Sequence, residues 1–145
     1  MIELLLILGG AFGAGMGGMW IKTRRRTNKG KAAAAVERFD DAARVVSAAQ
    51  ARWFDLQIEA GIVAGGVTGD AKVAVEGAEA KANSSSRRLY DAWLPVSDVN
   101  TDDIASFSDE SRREVAGYKR KALSVAEEFE RDLDALEQVL DEHRR

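Results

Sequence analysis

The chain has 145 residues, no cysteine, a single histidine (His143) and a net charge of −3. Disulfides, thiolate metal sites, cysteine nucleophiles and multi-histidine metal centres are therefore excluded. The charge is unevenly placed. Lys22, Arg24, Arg25, Arg26, Lys29 and Lys31 put six positive charges into ten residues, whereas residues 32–145 hold 15 basic against 23 acidic residues, a net of −8.

Ahead of that basic collar lies the apolar start of the chain. Residues 4–21 carry no charge, and as a helix they would span about 27 Å, close to the hydrocarbon thickness of a bilayer. Residues 1–21 are therefore expected to form a transmembrane helix. A cleaved signal peptide would place positive charge before the apolar run. Here Glu3 precedes it and the basic residues follow. Trp20 beside Lys22, Arg24, Arg25 and Arg26 has the composition of a membrane interface, with the indole at headgroup level and the cations near anionic headgroups. Basic residues flanking a span stay on the cytoplasmic side. The expected localisation is thus the cell membrane, single-pass, with the N-terminus outside and the body cytoplasmic.

Within the span Gly9, Gly13 and Gly17 recur every four residues, and Gly10, Ala14 and Gly18 form a second small-residue row beside them. Residues four apart share a helix face. This face is a candidate packing surface for another membrane helix, since small residues let backbones approach closely in lipid.

After the collar (residues 22–31) the chain reads as an acidic helical domain, residues 32–145. Ala35, Phe39, Ala42, Val46, Ala49, Trp53, Leu56 and Ala60 alternate four-three-four-three, a heptad seam that predicts a helix over about 31–60. Gly61, Gly65, Gly66 and Gly69 predict a turn, with Thr68 or Asp70 capping the next helix. The turn lacks the GK[ST] ending of a phosphate loop. A second helix is expected over 71–93 through Val75, Ala78, Ala82, Leu89 and Ala92. It should end before Pro95, because the residue preceding proline is pushed out of the helical region. Ser84, Ser85 and Ser86 beside Arg87 and Arg88 read as a solvated face or phosphate acceptors.

Residues 95–107 form a connector, with Asn100 and Thr101 as a local cap and Ser106 to Asp109 as a capping box. The acidic spacing there fails the calcium-loop pattern. The last helix, about 109–145, follows Val115, Tyr118, Ala122, Val125, Phe129, Leu133, Leu136, Leu140 and His143, with a stutter around Phe129. The fold class is therefore all-α: one N-terminal transmembrane helix followed by an elongated antiparallel three-helix, coiled-coil-like bundle. Phe39, Trp53, Trp93, Tyr118 and Phe129 are its expected large core residues. The third helix is long enough to outrun the second and leave part of its seam uncovered.

No catalytic residue, metal site, cofactor or small-molecule substrate is indicated, because the carboxylates are dispersed along helix faces and no acid–base pair converges. Nucleic acid is disfavoured by the acidic body. The expected function is that of a single-pass membrane accessory or scaffold protein. Its glycine face packs against a larger membrane complex, and its bundle serves protein–protein interaction at the cytoplasmic surface. The alternative is a self-oligomerising, membrane-active bacterial or phage protein, holin-like or an ejection or virion component. The expected partners are the membrane and either another membrane subunit or a second copy of the chain.

Overall fold

The computed structural model describes residues 27–144, and these are almost entirely helical. The predicted span with its glycine rows, the interface residues Trp20 to Arg26 and the collar before Thr27 lie outside the described residues. Among the described residues no helix is long and apolar enough to cross a membrane. The described residues form four helices in order: α1 (Thr27–Gly66), α2 (Gly69–Ser97), α3 (Thr101–Ile104) and α4 (Asp109–His143). The three long ones pack against one another.

Side-chain pairs fix their directions. Phe39 stacks on Trp93 with ring centroids 5.5 Å apart, and Gln50 meets Ser86, so α1 and α2 run in opposite senses. Arg88 reaches Glu128, and Lys81 reaches Asp132 at the other end of the same contact, so α2 and α4 also oppose. Arg52 pairs with Glu130 and Glu59 with Arg144. Both numbers rise together, so α1 and α4 run the same way.

The heptad seam of α1 is the core as expected. Phe39, Ala42, Val46, Ala49, Trp53, Leu56 and Ala60 are all buried, and Ala35 is partly buried against them. They meet Val75, Ala82, Leu89, Ala92 and Trp93 of α2 and Ala122, Phe129, Leu133, Leu136 and Leu140 of α4. The many alanines let the helices approach closely, while Trp53 and Phe129 fill the space between them edge to face at 6.2 Å. Tyr118 departs from expectation: it is 37% exposed, and Ala122 begins the fully buried seam of α4.

Two helix ends are corrected. α1 runs to Gly66 rather than stopping near Ala60, so Gly61, Gly65 and Gly66 are helical. Each glycine costs a helix about 1 kcal/mol relative to alanine, and the partial burial of Val63 and Ala64 against the core offsets this. The turn shrinks to Val67 and Thr68. Thr68 is the N-cap of α2, though its side chain makes no capping hydrogen bond, and Gly69 supplies the positive φ of 63° that reverses the chain. α2 likewise passes through Pro95 to Ser97. The proline has no N–H to donate to the carbonyl four residues before it, a local cost that the burial of Val96 beside Trp93 offsets.

The connector folds as expected around a short helix. The Asp102 N–H donates to Asn100 Oδ1 at 3.0 Å and caps α3. The cap of α4 is Ser108, not Ser106: its Oγ accepts from the Ser111 N–H at 3.2 Å.

Candidate functional site

The position of α2 decides where the bundle is open. Trp93 lies level with Phe39, and α2 ends one turn later at Ser97. On the other side Arg88 lies level with Glu128. The first ten or so residues of α4, roughly 15 Å of helix, therefore extend past the end of α2. The uncovered seam expected from the helix lengths is here. Part of it is filled from the connector, where Thr101 and Ile104 are buried and Phe107 packs against the core. The remainder is a recess of about 320 Å³ between α1, α3 and α4, at the small end of the range for ligand pockets.

The recess has an apolar floor and a cationic rim. Ala35, Phe39, Ile104, Val115 and Ala116 form the floor, and Arg38, Arg112, Arg113 and Lys119 stand around it. Asp109 is the single carboxylate in the lining, and Arg112 holds it at 2.6 Å. Arg38 donates through Nε to the Ala34 carbonyl. Burial, and then the neighbouring Arg38 and Arg120, push the Lys119 ammonium below its usual range, with Asp41 opposing weakly. Asp41 is itself engaged by Arg44 at 3.3 Å. Nearby Asp40 is raised, chiefly by desolvation, and its Oδ1 has no hydrogen-bond partner among the described residues.

A second polar feature crosses the middle of the bundle. Ser85 and Ser86 are buried, not solvated. Ser86 donates to Gln50 Oε1 at 3.3 Å, while Ser85 donates to Asp132 and accepts from Arg88. These serines occupy the seam slot between Ala82 and Leu89, which corrects the reading of them as a phosphate acceptor face: among the three, only Ser84 is exposed. The seven-residue gap in the seam was the available signal. Gln50 is fully buried and its Nε2 has no hydrogen-bond partner among the described residues. A buried donor without a partner costs about 1–3 kcal/mol, whereas removing both members of a buried polar pair can be neutral or stabilising. The double variant Gln50→Leu/Ser86→Ala should therefore melt a few degrees higher than the parent chain. A lower melting temperature by circular dichroism would show that the pair supports the fold.

Of the residues predicted to face membrane or partner, Gly9, Gly10, Gly13, Ala14, Gly17, Gly18, Trp20, Lys22, Arg24, Arg25 and Arg26 all precede Thr27, so the geometry bears on none of them. The cationic recess was not foreseen. Arg112, Arg113 and Lys119 lie seven residues apart or less on α4, but α1 contributes Arg38, and only the parallel course of α1 and α4 brings them together. Among the described residues no group of histidine, aspartate and glutamate side chains is arranged to hold a metal ion. No protein-family model, curated protein or solved structure matches this chain.

Proposed function

We propose that this chain is a single-pass membrane accessory protein that displays a three-helix bundle at the cytoplasmic surface for association with a larger membrane complex. One observation carries the reading: the basic stretch leads into the end of the bundle at which a recess lined by four cations opens. α1 starts at Thr27, within the basic stretch that follows the 18 uncharged residues, and α4 starts at the same end. The recess with Arg38, Arg112, Arg113 and Lys119 opens there too. A basic stretch and a cationic recess at one end of the domain suit a position against an anionic surface.

The outward face of α1 supports association with another subunit. Phe54, Ile58 and Ile62 follow one another every four residues and are 43%, 54% and 71% exposed. They form one apolar stripe on the face opposite the seam.

The absence of cysteine makes the topology directly measurable. Single cysteines placed at Ile2 and at Ser124 should be labelled by a membrane-impermeant maleimide from opposite sides of intact cells. Labelling of both from outside, or release of the chain from membranes by alkaline carbonate, would end the proposal. Crosslinking then separates its two forms: a stoichiometric complex with another membrane protein supports the accessory reading, and ladders of this chain alone support self-assembly.

A further inference from the structure

We propose that the recess between α1, α3 and the overhanging start of α4 is a binding site for a phosphate-bearing anion, held by Arg38, Arg112, Arg113 and Lys119. Four cations line one cavity with one carboxylate, and Arg112 already engages that carboxylate. Arg113 and Lys119 have no salt-bridge partner among the described residues. Like charges brought together in this way are destabilising unless an anion joins them. Elsewhere in this bundle Arg52 has three carboxylates, and Arg88 and Lys81 have one each. What sets the recess apart is that its four cations line one cavity.

The chemistry fits phosphate better than a carboxylate. Three guanidinium groups offer planar, paired donors, which suit the several oxygens of a phosphate. Lys119 adds a point charge from the next turns of α4. The floor of Ala35, Phe39, Ile104, Val115 and Ala116 removes water from one side, which strengthens each charged contact. Arg38 and Lys119 come from different helices, so a bound phosphate would also tie α1 to the part of α4 that α2 leaves uncovered.

A phosphate of this kind has two sources, a lipid headgroup or a soluble phosphate compound. The recess lies about 12–18 Å along α1 from Thr27. The headgroup source rests on the membrane reading above; the anion site itself does not.

The test uses the full chain with its lysines reductively methylated with carbon-13, so that the Lys119 resonance, assigned by its loss in Lys119→Gln, reports on the recess. Inorganic phosphate is titrated against the chain in neutral detergent, at constant ionic strength with chloride as the balancing anion. The same chain is then placed in nanodiscs of phosphatidylcholine, with and without phosphatidic acid. A saturable shift of the Lys119 resonance, with its titration moved to higher pH, is expected in at least one arm. Arg113→Gln and Arg38→Gln should each weaken it about tenfold, since one hydrogen bond to a charged group is lost. Arg87→Gln, on an exposed face of α2, should leave it unchanged.

A shift with free phosphate assigns a soluble ligand, and a shift only with phosphatidic acid assigns a headgroup. No saturable shift in either arm overturns the site, as does a shift that chloride reproduces or that survives Arg113→Gln and Arg38→Gln in a chain of native helicity. Should the chain fail to enter nanodiscs, the membrane reading falls, while the phosphate titration still decides the recess.

Discussion

Trp53→Ala should remove about 3–5 kcal/mol of stability, the range for deleting a large aromatic side chain from a packed core. Trp53 is fully buried at the middle of α1, where its ring meets the edge of Phe129. Most of its neighbours along the seam are alanine (Ala42, Ala49, Ala60), and these short side chains cannot move in to fill the space it leaves. The cavity term should therefore stand near the upper part of the range. With total stability of a domain near 5–15 kcal/mol, such a loss is a large fraction of the whole. For a helical domain of this size it corresponds to a fall in Tm of roughly 10–20 °C.

Trp53→Phe separates packing from polarity at the same site. The Trp53 Nε1 is buried without a hydrogen-bond partner among the described residues. Phenylalanine keeps a ring against Phe129 and removes that orphaned donor, so its cost should stay below about 1.5 kcal/mol. Thermal denaturation followed by circular dichroism on the full chain checks both. A Trp53→Ala chain that melts within a degree or two of the parent would mean that the indole does not lie in the core.

What the sequence revealed and what it hid have a common physical cause. The seam of α1 was legible because a heptad pattern is local: each buried position follows from the one three or four residues before it. The cap at Asn100 was legible for the same reason, since its hydrogen bond spans two residues. The glycines at 61, 65 and 66 and the proline at 95 misled because local penalties of about 1–3 kcal/mol yield to tertiary burial, here of Val63, Ala64 and Val96. Ser85 and Ser86 were misread because hydroxyl groups at seam positions look like surface until Gln50 and Asp132 arrive from other helices. The cationic recess depends on the relative height of three helices, which no single periodicity encodes. Even so, the expectation that the last helix would outrun the second pointed to that end of the bundle.

The ion cluster around Arg52 shows how such hidden partners shape the energetics. Arg52 Nη1 lies 2.6 Å from Glu130, and Nη2 lies 2.7 Å from Asp134 and 2.6 Å from Glu137. In the sequence these acids belong to the carboxylates dispersed along helix faces, yet their spacing of four and three places them on one face of α4. Only a cation from the parallel helix α1 makes that acidic row tolerable. Desolvation works to lower the guanidinium pKa, but the hydrogen bonds that Arg52 donates to all three carboxylates together outweigh it and hold the pKa above its usual range. Arg52 thus stays charged at every accessible pH.

A single exposed ion pair contributes little, but Arg52→Met does more than delete pairs. It leaves three carboxylates crowded around an apolar side chain, and their mutual repulsion then has no counter-charge. The expected loss is about 2 kcal/mol at neutral pH and low salt, between the values for exposed and buried pairs. The penalty exists only while the carboxylates are ionised, so it is present at neutral pH and disappears in acid. It should also shrink as salt is added. Adding Glu137→Gln to the Arg52→Met chain should recover part of the loss, because one of the three repelling charges is gone. Urea denaturation of the parent and the two variants, at two pH values and two salt concentrations, measures each of these terms. A loss in Arg52→Met that is independent of both salt and pH would show that packing of the arginine stem, and not the charge it supplies to α4, is what holds the two parallel helices together.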